Sequence, residues 1–389
     1  MCIRDSAWRD QRHANDWTGF AKNLKKVVEL SRQEATLRAE ATRLSPYDSM
    51  LDLHEPGMTG VVLDQLFADL KTWLPDLIQE IASHQASDVY CVPEGPFSVV
   101  QQEKLGRTLM DLMGFDFHSG RLDVSTHPFC GGVPQDVRIT TRYAEDDFTR
   151  GLMGVIHETG HARYEQNLPQ LWLTQPVGKA RSMGIHESQS LFFEMQISRH
   201  PAFLERIAPF IQQHLGKSSV TKLANLQMIY SRVKPGLIRV DADEVTYPAH
   251  IILRYEIERA LIEGQLEVDD IPDAWNEKMK AYLGLDTSGD FCNGPMQDIH
   301  WTDGAFGYFP SYTLGAMYAA QQYAAMDREI SDLSQRLMLG DMSPVFEWLN
   351  HNIWSQASCF DTDTLITQAT GEPLNPTHFK AHLMRRYLG

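Results

Sequence analysis

Apolar residues recur at intervals of three and four along most of this 389-residue chain, which commits it to amphipathic helices sharing a core. Phe20, Leu24, Val27, Val28 and Leu30 form one such stripe; Leu63, Leu66, Phe67, Leu70 and Leu74 form another. The same spacing predicts helices over 97–114, 147–167, 185–200, 202–215, 219–232, 247–264, 272–283, 311–338 and 343–356. Ser45-Pro46-Tyr47-Asp48 and Glu55-Pro56-Gly57 carry turn chemistry but are too short to link domains. One segment breaks the pattern. From Asp136 to Tyr143, Val137, Ile139, Thr141 and Tyr143 alternate with Arg138, Thr140 and Arg142, the period of a half-buried strand. The expected fold is mainly α, with a small β-sheet beside the helix over 147–167. Without a fixed-period repeat or a Pro/Gly/Ser-rich linker, one domain over 1–389 is the simplest organisation.

The helix over 147–167 carries His157-Glu158-Thr159-Gly160-His161. Residues four apart lie on one helix face, so both imidazoles can address one ion while Glu158 projects beside it. A catalytic zinc keeps three protein ligands and an open position, and a nearby carboxylate takes the proton of its activated water. H-E-x-x-H supplies two ligands and that base. A random chain of this length and composition carries the pattern with probability of about 0.03, so the context matters. Asp146 and Asp147 can cap the helix, and Leu152, Val155 and Ile156 give it an apolar face. Gly160 costs the helix about 1 kcal/mol relative to Ala, which fits either close packing of another element or simple local tolerance. For the third ligand, Glu187 follows in Gly184-Ile185-His186-Glu187-Ser188-Gln189-Ser190, with His186 as the rival. Glu187, Leu191 and Glu194 share one helical face, and Glu194 reads either as support for a ligand or as a solvated carboxylate.

The balance of 35 Lys and Arg against 51 Asp and Glu, 35 − 51 = −16, argues against the basic face that nucleic acid requires. Five scattered cysteines form no C-x-x-C pair and suit a reducing compartment. The first twenty residues contain no apolar run, so neither a secretory signal nor a membrane anchor is expected and the reading is cytoplasmic.

Beyond the metal motif, the chain contains His127-Pro128-Phe129, Asp136-Val137-Arg138-Ile139-Thr140, Ile238-Arg239-Val240-Asp241-Ala242-Asp243-Glu244 and Gly294-Pro295-Met296-Gln297-Asp298-Ile299-His300-Trp301. With the H-E-T-G-H and H-E-S-Q-S segments these make six ordered matches, and from about Trp17 onward the chain resembles the carboxypeptidase Taq family of metallocarboxypeptidases. The resemblance implies a zincin-like helical peptidase, a homodimer, Glu187 as third zinc ligand, and release of C-terminal residues other than Pro from peptides; such a ligand set also accepts cobalt. It departs in two places. Asp241 stands where the family has Glu, and the helices preceding Trp17 in the family are expected to be missing, with the opening Met-Cys-Ile-Arg-Asp-Ser reading as a non-native leader on a truncated frame.

A carboxypeptidase must hold its substrate's free carboxylate, for which an Arg fork is the natural partner. Arg138, alternating out of the strand, and Arg239 are the two candidates, each reading equally as an ordinary surface or ion-paired Arg. His127, His250 and His300 read either as pocket residues or as structural histidines. Tyr308, in Gly304-Ala305-Phe306-Gly307-Tyr308, is a candidate oxyanion donor or a core aromatic. The competing functional readings are another helical gluzincin, an aminopeptidase or oligopeptidase, and an inactive zinc-binding homologue.

Overall fold

The computed structural model describes residues 3–125 and 128–389, with side chains from Ser6 onward. In chain order the first elements are α1 (Ile3–His13), α2 (Trp17–Thr42), α3 (Pro46–Leu51), α4 (Gly60–His84) and α5 (Val99–Leu112). Strands β1 (Gly120–Val124), β2 (Phe129–Val133) and β3 (Asp136–Thr141) lead into α6 (Phe148–Gln166). There follow α7 (Met183–Leu191), α8 (Pro201–Leu215), α9 (Leu223–Tyr230), α10 (Tyr247–Ile262), α11 (Ile271–Leu283) and α12 (Pro310–Glu329). The chain closes with α13 (Leu333–Leu339), α14 (Ser343–Asn352), α15 (Thr362–Thr370) and α16 (Thr377–Tyr387). The mainly helical expectation holds. Among the described residues no helix is long and apolar enough to cross a membrane.

Residues group into two compact units, one formed by 1–86 and 233–313 and the other by 87–232 and 314–389. In the first, α10 is the central helix: Ile251, Ile252, Leu253, Tyr255, Ile257 and Leu261 are buried on several faces, and α2, α4 and α11 pack on it. The apolar stripes predicted for α2 and α4 supply Phe20, Leu24, Val27 and Val28, and Leu63, Phe67, Leu70 and Leu74 to this core, whereas Leu30 is exposed. The helix α1 precedes the region where periodicity was legible, and Trp8 is buried there with its indole N–H donating to the Met296 carbonyl at 2.9 Å.

In the second unit the predicted strand is β3, the middle strand of a three-stranded sheet, parallel to β1 and antiparallel to β2. Leu122, Val137 and Ile139 put one face of the sheet against Met110, Phe115, Val155 and Ala162, which fixes α6 over the sheet. The segment expected as one helix over 311–338 is two helices, α12 and α13, separated at Ile330–Asp332.

Candidate metal centre

The α6 helix begins as its sequence indicates, with the Asp147 carboxylate accepting the Thr149 N–H at 2.8 Å. Its apolar face is buried against the sheet, which turns His157 and His161 toward α7. There His157 Nε2 lies 3.9 Å from Glu187 Oε1 and His161 Nε2 lies 3.5 Å from Glu187 Oε2. One ligand atom from each of the three residues falls within 4.8 Å of the others. Two imidazole nitrogens and one carboxylate oxygen converging this closely are the donor set of a catalytic zinc site, so the residues fit the metal that the motif implies.

Glycine makes the approach of α7 possible. A Cβ on Gly160 would sit 2.5 Å from the Gln189 carbonyl oxygen and 2.6 Å from Ser190 Cα, so close packing explains this helix-interior glycine. Gly315, in the part of α12 that belongs to the same unit, plays the matching role behind the ligand, since a Cβ there would lie 2.6 Å from Glu187 Cγ.

Beyond Leu191 the helix widens into a π-helical segment, Phe192–Ser198. Such a segment changes the rotation per residue and often marks a functional site. From this segment Glu194 reaches the outer side of His157, where its Oε2 lies 2.9 Å from Nδ1. Arg199 Nη2 donates to Glu194 Oε1 at 2.8 Å and holds it there. His186, the rival ligand, lies on the outer side of His161, Nδ1 to Nδ1 at 2.6 Å.

The electrostatics follow from three carboxylates around His157, of which Glu158 and Glu187 are buried and Glu194 is partly buried. Burial works against an imidazolium at His157, but Glu187 and the hydrogen bond that Nδ1–H donates to Glu194 outweigh it and hold its pKa up at about 10. His161, for which burial prevails over the Glu187 interaction, is pushed down to about 4. The pocket thus attracts positive charge, a proton or a metal ion, at a defined place. Glu158 is buried, and burial raises its pKa to about 7, with Glu187 adding to the rise and His157 opposing it. A carboxyl near neutrality is suited to accept a proton and give it back.

The remaining predicted residues are distributed differently. Arg138 is exposed on β3 and forked onto Asp136, with Nη2 to Oδ2 at 2.6 Å. In the first unit, Arg239 is buried with Nε and Nη2 donating to Asp298 Oδ1 at 2.9 and 2.8 Å and Nη1 donating to the Tyr247 hydroxyl at 2.6 Å. Its partner is Asp298, not the neighbouring Asp241, Asp243 or Glu244. Arg254 Nε donates to the other Asp298 oxygen at 2.7 Å, so two guanidiniums share one carboxylate. His250 is wholly buried on α10, where burial and then Arg254 and Arg239 hold its pKa well below the usual value. His300 bonds the Tyr312 hydroxyl through Nε2 at 3.0 Å, and its ring packs 5.4 Å from Tyr308, which is partly exposed. His127 lies outside the described residues. Sequence spacing gave no sign of Arg199 or Arg254, whose partners are brought to them by the π-segment and by a fold that joins positions 44 apart respectively.

A family model described as carboxypeptidase Taq (M32) metallopeptidase matches residues 3–387, beginning well before Trp17. The chain is 39% identical over 392 aligned positions to thermostable carboxypeptidase 1 of Thermus thermophilus, covering 98% of this chain and 76% of that protein. It is 38% identical to carboxypeptidase 1 of Bacillus subtilis, covering 100% of this chain and 77% of the relative. Among solved structures it is similar to metallocarboxypeptidase 1 of Trypanosoma cruzi, with a TM-score of 0.97 and 48% identity over 99% of this chain and 78% of that one.

Proposed function

The chain belongs to the carboxypeptidase Taq (M32) metallopeptidase family, and from that premise we propose that it releases C-terminal residues from peptides using zinc held by His157, His161 and Glu187, with Glu158 as general base. The observation that carries this reading is the convergence of those three donors within 4.8 Å beside the buried Glu158. A bound zinc supplies a Lewis acid that polarises a carbonyl and acidifies water; cobalt is an acceptable substitute for this donor set. Glu158 takes the proton of the attacking water and returns it to the leaving amine, a cycle that its pKa of about 7 supports. Glu194, clamped by Arg199, holds the His157 ring with Nδ1 outward and Nε2 inward.

For the substrate's terminal carboxylate, Arg239 is favoured over Arg138. Arg239 and Arg254 share the single carboxylate of Asp298, so positive charge is left over, whereas Arg138 is engaged with its own Asp136 at the surface. Tyr308 as oxyanion donor and His127, His250 and His300 as pocket residues complete the proposal. Specificity is broad, excluding Pro; the working form is a cytoplasmic homodimer acting on peptides. The family match runs through both units, which supports treating the chain as a single peptidase domain.

The test is hydrolysis of an N-acylated dipeptide, which only a carboxypeptidase cleaves and an aminopeptidase does not. Glu158→Gln should retain zinc and lose turnover by at least about 100-fold, the lower range for a general base. Turnover within tenfold of the parent would overturn the assigned role.

A further inference from the structure

The two imidazoles of the metal set are supported in different ways. His157 has a carboxylate directly on its outer nitrogen, Glu194 Oε2 at 2.9 Å. His161 has a second imidazole there instead, His186, and His186 Nε2 in turn lies 2.8 Å from Glu165 Oε1. Glu165 sits one helical turn after His161 on α6, while His186 belongs to α7 next to Glu187.

We propose that Glu165 and His186 form a positioning relay that fixes the tautomer and ring plane of His161, so that metal affinity depends on a carboxylate that touches no ligand. This rests on the reading of His161 as a ligand. If Nε2 of His161 faces the metal, its ring proton is on Nδ1 and needs an acceptor. The atom 2.6 Å away is His186 Nδ1, which accepts only when the His186 proton is on Nε2. A carboxylate at Nε2 enforces that arrangement, because it has acceptors and no donor. The hydrogen bonds therefore run one way: His161 Nδ1–H to His186 Nδ1, then His186 Nε2–H to Glu165 Oε1. Without Glu165, His186 is free to carry its proton on Nδ1, where it opposes the Nδ1–H of His161 and turns one of the two rings. Tyr164 packs against His186 at 5.4 Å between ring centroids and limits where that ring can go. A neutral imidazole is also a weaker acceptor than a carboxylate, so His161 is the less strongly supported ligand and the one whose binding is most sensitive to its surroundings.

The experiment is zinc titration of the full chain against a competing chelator, paired with the visible spectrum of the cobalt form. Glu165→Ala should raise the zinc Kd by about 10- to 100-fold, the usual cost of losing an outer partner of a metal ligand, and should shift the cobalt bands. His186→Leu should do the same, and Glu165→Gln, which keeps an acceptor oxygen, should restore most of the affinity. Unfolding of the metal-free variants should match the parent, which separates a relay from a merely structural role. A parent that binds one zinc while Glu165→Ala shows the same Kd and the same cobalt spectrum would overturn the relay alone. A parent that binds no zinc would overturn the metal assignment together with it.

Discussion

The second unit gathers three carboxylates, the buried Glu158 and Glu187 and the partly buried Glu194, around two imidazoles and the guanidinium of Arg199, whereas the first unit buries two guanidiniums, Arg239 and Arg254, on the single carboxylate of Asp298. The first of these clusters is short of positive charge unless His157 holds a proton, and the second is short of negative charge. Burying unbalanced charge is costly, so each cluster favours a compensating charge. In the proposed reading a metal ion completes the first of these clusters and a substrate carboxylate the second. Glu258 marks the difference sharply. It senses the charge of Arg254 and would offset the excess if ionised, but burial raises its pKa to about 8 against the hydrogen bonds of Tyr47 and Trp301 and the N–H of Gly307.

The largest expected effect comes from removing the single shared anion. Asp298→Asn leaves Arg239 and Arg254 facing one another without compensation and should destabilise the protein by about 3–5 kcal/mol in urea unfolding. A loss below about 1 kcal/mol would mean that other groups already balance the guanidiniums.

Glu258 gives a pH test of the same cluster. Its folded pKa is raised, so its contribution to stability is complete below the ordinary carboxyl value and is lost as pH rises toward about 8. Over that window the parent should lose stability by about 1.4 kcal/mol per pH unit relative to Glu258→Gln. Parallel stability profiles for parent and variant would show that Glu258 ionises freely in the folded state.

In the second unit, Glu194→Ala should weaken zinc binding by about 10- to 100-fold while the apo protein keeps its fold, measured by chelator competition. The smallest effects contrast two glycines of one helix. Gly160→Ala should destabilise by about 1–3 kcal/mol and loosen metal binding, because the new methyl group meets the backbone of α7. Gly154→Ala, where a Cβ has open space within 4 Å, should stabilise by about 1 kcal/mol. Equal responses from the two would remove the packing explanation for Gly160.

These contrasts also show where the sequence was readable. His157, Glu158 and His161 were legible because a helix fixes residues four apart on one face, and Glu187 because a family resemblance singled it out from His186. Glu194 was legible as one of two readings, support for a ligand or a solvated carboxylate, and it takes the first at His157 Nδ1; the π-helical segment Phe192–Ser198 that carries it was not announced by the spacing. The Arg239–Asp298–Arg254 arrangement joins residues 59 and 44 positions apart, a pairing set by tertiary structure alone. Strand β3 announced itself by the alternation from Val137 to Tyr143, although it ends at Thr141, but β1 is short and β2, Phe-Cys-Gly-Gly-Val, has two glycines in place of alternating side chains. Helices α15 and α16 are also short, and the break between α12 and α13 falls at Ile330–Asp332, where neither Gly nor Pro announces it.

If Glu187 completes a catalytic metal site with His157 and His161, its removal must cost metal and activity together. Metal content and N-acyl dipeptide hydrolysis, measured together on dialysed parent and Glu187→Ala, address it most directly. The parent should hold one zinc per chain and hydrolyse in proportion to it, and the variant should lose both. A variant that keeps stoichiometric zinc and turnover would contradict that role for Glu187.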